Sequence, residues 1–550
     1  MHLPCEREGV VNRRKNNKKK DKRSQWQICF SRVLPKQQRI GHATNILFLA
    51  ECHHFLPQTA KYSIYFWRFC IKFVPLQPKI RIIMEIIGRK TEKESLQRLF
   101  NSNRSEFLMV YGRRRVGKTY LIREYFQNQF AFSATGIAKG DRMEQLVNFR
   151  NSIRQYDDSI DGKEIKDWFD AFHALEQLLT KSKKERKVIF LDELPWMDTP
   201  KSSFVKALEL FWNSWASARH DILLIVCGSA ASWLVKNIVR NHGGLHNRLT
   251  FKMKIAPFDL AETKAYLSSK GINWENKMTA ECYMILGGIP YYLDMLDKSK
   301  SLAQNVDALF FSETALLEDE YQNLYASLFK KSEEYLRIVE TLAKKKSGYT
   351  REEIIHHTKV SDGGGLSRRL EELEQCGFIR KYKTIGNVTF TYQLIDYFSL
   401  FYHNFLKNGP SFDTSNWMHL QGTSTYHTWC GLSFERLCMS HQHQIKKALG
   451  ISGISTNTFS YYSPEAQIDM VIDRGDQIVT LCEMKFTDEP YSINKTTAEK
   501  LREKISCLKT AMKKRKGIYI AMVTTYPLKQ NEYSINLVQN NVLLDDLFCE

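Results

Sequence analysis

Between residues 84 and 265, short unbroken apolar runs alternate with longer amphipathic stretches. The runs at 107–111, 188–191 and 222–227 have no polar alternation, so both of their faces predict burial, as in the strands of a parallel sheet. Helical periodicity falls over 92–100, with Leu96 and Leu99 on one face, and over 164–182. Trp196, Phe204, Leu208, Phe211, Trp212 and Trp215 recur near helical spacing and read as core. Strand alternating with helix predicts a sheet covered on both faces. Residues 258–330 read as helical, interrupted at 286–290 by two glycines and a proline. Helices over 333–345, 351–357 and 366–376, then a hairpin over 377–392, describe a winged helix. Residues 405–425, with Gly409 and Pro410, read as a linker, and 426–550 as a second α/β unit.

Chemistry attaches to the ends of these runs. The first is followed by Gly112, Arg113, Arg114, Arg115, Val116, Gly117, Lys118 and Thr119, and then by a helical segment. Strand, glycine loop and helix are the context of a phosphate-binding loop, whose backbone N–H groups and helix N-terminus face an anion. Lys118 would reach the outer phosphates and the Thr119 hydroxyl would hold Mg²⁺. The second run ends in Asp192 and Glu193, 74 residues after Lys118 at the acid nearer the run. Asp192 would hold Mg²⁺ and Glu193 would polarise the attacking water. The third run ends at Ser229, the place of a γ-phosphate sensor or of a helix cap. Arg248, before the next apolar segment, is a candidate for neutralising transition-state charge, in cis or in trans.

A second constellation lies in the last unit. Asp469 falls on one predicted strand, and Glu483 and Lys485 on the next, after a tight turn. Period-two alternation puts Glu483 and Lys485 on one face, and antiparallel pairing would bring Asp469 beside Glu483. Two carboxylates so placed suit Mg²⁺, Lys485 could activate water, and Glu435 on an upstream helix could add a third carboxylate. The alternative is an exposed hairpin face with paired charges.

Charge and composition narrow the setting. The chain of 550 residues carries a net charge of +20, but residues 1–83 hold 17 Lys and Arg against 4 Asp and Glu. The excess therefore belongs mainly to a basic leader, either a nucleic-acid-touching tail or sequence upstream of a start at Met84. Its apolar stretch, 45–76, is broken by charges and histidines, so neither a membrane span nor a signal peptide is predicted. The 12 cysteines show no regular spacing and predict reduced thiols in a cytoplasm. The histidine pairs at 53–54 and at 441 and 443 lack zinc spacing. On the third winged helix, Arg368 and Arg369 are interleaved with Glu371, Glu372 and Glu374, a mixed charge that favours interdomain packing over groove reading.

Residues 112–119, 190–196, 227–229 and 287–290 together resemble the archaeal-type ATPases, a branch of the AAA+/STAND P-loop ATPases. The resemblance spans about 84–550. It implies an α/β fold: a P-loop NTPase parallel sheet (84–265), a helical lid (266–332), a winged helix (333–404), a linker (405–425) and a C-terminal restriction-endonuclease-like domain of the PD-(D/E)xK type (426–550). It implies ATP and Mg²⁺ as ligands, and ATP hydrolysis through Lys118, Thr119, Asp192 and Glu193, with Ser229 and Arg248 assisting. Glu435, Asp469, Glu483 and Lys485 match the nuclease pattern, although Ile468 stands where that pattern has proline. The expected activity is a nucleotide-driven switch coupled to the nuclease-like domain. An ATP-gated nuclease of DNA or RNA, and a signalling scaffold with slow hydrolysis, are the alternatives. Partner classes are nucleic acid, a protein client and a further copy of the chain, with no membrane.

Overall fold

Strand β1 (Glu106–Tyr111) sets the pattern for the first half of the molecule. Its Leu108 and Val110 enter one core while Phe107 and Met109 enter another, so both faces of the strand are apolar and buried. The same holds for β3 (Lys187–Asp192) and β4 (Ile222–Gly228). With β2 (Phe132–Thr135) and β5 (Phe251–Lys254) they form one five-stranded sheet in the order β2-β3-β4-β1-β5, with every pairing parallel. This is the α/β sheet expected of a P-loop ATPase, and its carboxyl edge carries the loop after β1 and the acids after β3.

The computed structural model describes residues 86–550 apart from 161–164, 230, 240–243, 246, 313, 330, 384–388, 408–416, 464, 513–515 and 550. The basic leader, with His53 and His54, and Gly409 and Pro410 lie outside the described residues. Among the described residues no helix is long and apolar enough to cross a membrane. The described cysteines are all free thiols, most of them buried.

Helix Lys90–Phe100 buries Leu96 and Leu99, and helix Trp168–Lys181 packs Phe172 and Leu175 on the sheet. Of the expected aromatic core, Phe204, Leu208, Phe211 and Trp212 are buried. Trp196 and Trp215 are only half-buried. Helix Asn276–Leu286 stops at Gly287, which takes a left-handed conformation (φ 73°), and Pro290 opens the next helix.

The next segment runs helix Ser332–Ala343, β6 (Tyr349–Thr350), helices Arg351–Thr358 and Gly364–Gln375, β7 (Ile379–Tyr382) and β8 (Thr391–Leu394). Its three strands pair antiparallel in the order β6-β8-β7. On the third helix Arg369 pairs with Glu334 and Arg368 faces Glu372. Those arginines are therefore engaged within the segment.

The linker expectation fails in part. Residues 417–421 form a helix, and Trp417 is 1% exposed among Phe401, Phe405, Tyr426 and Trp429. Polar neighbours hid one large anchor. Helix Ser424–Ser440 then leads to a second sheet of β9 (Thr456–Tyr462), β10 (Gln467–Arg474), β11 (Ile478–Lys485), β12 (Gly517–Thr524) and β13 (Val538–Leu543). The order is β13-β12-β11-β10-β9, antiparallel from β9 to β11 and parallel from β11 to β13.

Candidate functional site

The loop after β1 is shaped by two glycines with different tasks. Gly112 has φ 148°, and a Cβ there would lie 2.2 Å from the Ile255 carbonyl oxygen, so only glycine lets the loop pass the end of β5. Gly117 has φ 86°, and a Cβ would meet nothing within 4 Å. It caps helix Lys118–Tyr125 and leaves its N-terminus open to an anion. Lys118 is buried, and its Nζ donates to the carbonyls of Gly112 (3.1 Å) and Arg113 (2.9 Å). Val116 is buried, and its carbonyl accepts from Arg89 Nη2 at 3.1 Å.

Thr119 Oγ1 donates to Asp192 Oδ2 at 2.9 Å, so the hydroxyl and the carboxylate that the sequence paired do converge. Oxygen ligands of these two kinds are what Mg²⁺ takes, and the residues fit that ion. Beneath them, burial first and Asp192 second push the Cys227 thiol well above its ordinary pKa. The thiol stays protonated and chemically inert there. Glu193 adopts a left-handed backbone (φ 47°), and its Oε2 accepts from both Ser229 N (3.3 Å) and Ser229 Oγ (3.1 Å). Ser229 therefore holds the acid that would polarise water.

Arg248 is not brought to this loop within its own chain. It precedes β5, and β5 runs parallel to β1 with Phe251 beside Leu108. Arg248 thus sits at the amino edge of the sheet, on the order of 20 Å along the strand direction from the carboxyl edge. Arg248 therefore does not reach a γ-phosphate held by the loop of its own chain.

The loop arginines are tied down by residues the sequence reading missed. Arg113 is ion-paired with Asp396, both nearly fully buried, and its guanidinium lies 5.0 Å from the Phe378 ring centroid. Asp396 also accepts from Ser399 N (2.9 Å) and Ser399 Oγ (2.6 Å). Arg115 pairs with Glu320 at 2.6 Å, and Glu320 accepts from Tyr292 O–H at 2.6 Å. Arg114 is exposed. Asp396 lies 283 residues from Arg113, and no local spacing signals such a pair.

In the second sheet β10 pairs antiparallel with β11, Met470 opposite Cys482, and Asp469 lies just before that pair, where the register of β10 with β9 shifts. Glu435 is on helix Ser424–Ser440, close enough for its charge to be felt: burial first and Asp469 second raise its pKa to about 7. What the sequence missed is who answers these charges. Lys346, between helix Ser332–Ala343 and β6, contacts both Glu435 and Asp469, the latter at 3.1 Å. Glu483 accepts from Lys485 (2.9 Å) and Lys504 (2.7 Å). Each of the three carboxylates therefore meets an ammonium group already. Among the described residues no set of three or more His, Cys, Asp or Glu is arranged to hold a metal ion. The cluster as arranged does not fit a divalent cation.

The family model described as an ATPase domain predominantly from Archaea matches residues 87–296. An uncharacterized protein of Methanocaldococcus jannaschii is 24% identical over 422 residues, 73% of this chain and 88% of the relative. An uncharacterized ATP-binding protein of the same organism is 45% identical over 47 residues, 8% of this chain and 80% of the relative. Among solved structures, a Walker-type ATPase of Pyrococcus abyssi is similar at TM-score 0.42 and 16% identity, over 57% of this chain and 95% of that one. Through residues 87–296, with their glycine loop and the acids after β3, the chain belongs to the ATP-hydrolysing ATPase domains found predominantly in Archaea.

Proposed function

We propose that the chain is a cytoplasmic, Mg²⁺-dependent ATPase that works as a switch, its nucleotide state read by the segments downstream of the ATPase sheet. Lys118 would move from the Gly112 and Arg113 carbonyls to the outer phosphates of ATP. Thr119 and Asp192 would hold Mg²⁺, which neutralises charge on the phosphates. A γ-phosphate would compete for the Ser229 hydroxyl and release Glu193 to orient the attacking water. The observation that carries the switch is the Arg113–Asp396 pair, because it joins the phosphate loop to the first residues after β8. Losing or keeping a γ-phosphate is a common way to order or release such contacts.

The helical lid, the winged helix and the nuclease-like domain are the names we attach to 266–332, 333–404 and 426–550. The output would be the C-terminal unit, acting on nucleic acid or on a protein client. In a homo-oligomer, Arg248 would be free to serve a neighbouring copy.

Isothermal calorimetry with ATP and Mg²⁺ tests the loop. Lys118→Ala should lose ATP binding while its circular dichroism is unchanged. Unaltered affinity in that variant would sink the reading. Limited proteolysis with and without ATP tests the switch, and cleavage patterns that are identical in both states would remove it.

A further inference from the structure

We propose that the chain has a second ligand site, for a phosphate-bearing small molecule of nucleotide size, in the cavity where the ATPase sheet, the β6-β8-β7 sheet and helix Ser424–Ser440 meet. The cavity has a volume of about 520 Å³, within the range of sites that enclose small molecules. Arg113, Lys254, Arg380 and Arg436 line it, with Phe258 and Tyr397 among its aromatic walls. Arg114 to Thr119, Asp192, Glu193 and Ser229 do not line it, so of the phosphate-binding groups only the Arg113 side chain reaches it.

Charge is the reason to expect an anion. Two carboxylates, Asp259 and Asp396, also face the cavity, but both are engaged. Asp396 pairs with Arg113 and caps its own helix. Asp259 caps helix Leu260–Ser269. Arg380 Nε donates to Gln393 Oε1 at 2.6 Å, and the Asp469 carboxylate is near enough for its charge to act on the guanidinium. Arg436 donates to the carbonyls of Leu394 (3.3 Å) and Leu432 (3.1 Å). Neither arginine forms an ion pair among the described residues. Burial holds both below the ordinary arginine pKa. Arg113 adds Nε and Nη2, both buried without an acceptor.

The lining carries four cationic side chains against two carboxylates, and Arg113 Nε and Nη2 lack an acceptor, so a bound anion would offset the cost of burying them. Paired planar forks select phosphate over a point acceptor. The aromatic faces would take a ring, as in a nucleotide, whereas the arginines alone would take a bare diphosphate. Because Arg113 gives its backbone to the phosphate loop and its side chain to this cavity, ligand here and ATP there would alter each other's affinity.

The test uses the full-length chain carrying Lys118→Ala, which disables the loop, titrated by calorimetry with ATP and separately with inorganic pyrophosphate. Saturable binding of either probe, weakened at least tenfold by adding Arg380→Gln and Arg436→Gln, is the expected result. Binding of ATP alone names a nucleotide, and binding of pyrophosphate as well names the phosphates. No binding of either probe overturns the site, and so does binding that ignores both arginines. Ligand-free melting curves check that the variants fold, and Arg380→Gln alone, with its effect read the same way, replaces the double change if that one unfolds. Residual ATP binding through the loop would not depend on Arg380 or Arg436, so failure of the loop reading would look different.

Discussion

Gly112 in the ATPase half and His403 downstream of it show how single positions govern the fold. A Cβ at Gly112 would meet the Ile255 oxygen at 2.2 Å, in a backbone region disfavoured for side chains. Gly112→Ala should therefore cost about 2 kcal/mol or more of stability and displace the loop; chemical denaturation and ATP titration read the two effects. His403 Nε2 lies 2.8 Å from the Tyr321 hydroxyl, and burial pushes its pKa down to about 4. An unfolded histidine titrates near 6.5, so the unfolded chain takes up the proton first. Stability from this group is complete above about pH 6.5 and is lost as pH falls towards about 4. Unfolding free energy should drop by about 2 kcal/mol between about pH 7 and pH 5, and His403→Gln should flatten that slope. Residues whose chemistry depends on near neighbours in sequence, such as Lys118 and Thr119, could be read from spacing. Asp396, Glu320 and Lys346 could not, because a lone acid or lysine carries no sign of the distant partner that folding will bring.

Helices and strands were legible where periodicity and apolar runs agreed, which covers β1, β3, β4, the helix break at Gly287 and the antiparallel pairing of β10 with β11. Segment 405–425 was misread because Gly409, Pro410 and polar neighbours outweigh one tryptophan in any window average. In the fold that tryptophan decides the matter. Trp417 is 1% exposed, and its ring meets five aromatic side chains of the surrounding helices. Trp417→Ala should lower stability by about 3–5 kcal/mol, seen as a lower thermal midpoint with ATP hydrolysis retained at low temperature. The in-cis half of the Arg248 expectation met a different obstacle. Parallel pairing of β5 with β1 decides which sheet edge it occupies, and strand direction within a sheet is not written in local pattern.

Across the whole molecule, two arginines of the phosphate loop reach outward, Arg113 to Asp396 and Arg115 to Glu320. Removing the charge with Asp396→Asn leaves Arg113 buried without its partner. ATP-dependent differences in protease sensitivity should then shrink, while Lys118, Thr119 and Asp192 still support nucleotide binding by calorimetry. Equal ATP responses in Asp396→Asn and wild type would disconnect the downstream segments from the loop.

Lys346 has a consequence of its own. Its backbone carbonyl is held by Gln393 of β8 at 2.5 Å, while its ammonium reaches across to Glu435 and Asp469. Turning the three-stranded module away would leave two facing acids without their cation, and one of them would have to take up a proton. Small excursions are therefore opposed and a full departure needs a replacement charge, so the module behaves as a latch with a threshold rather than a hinge that drifts.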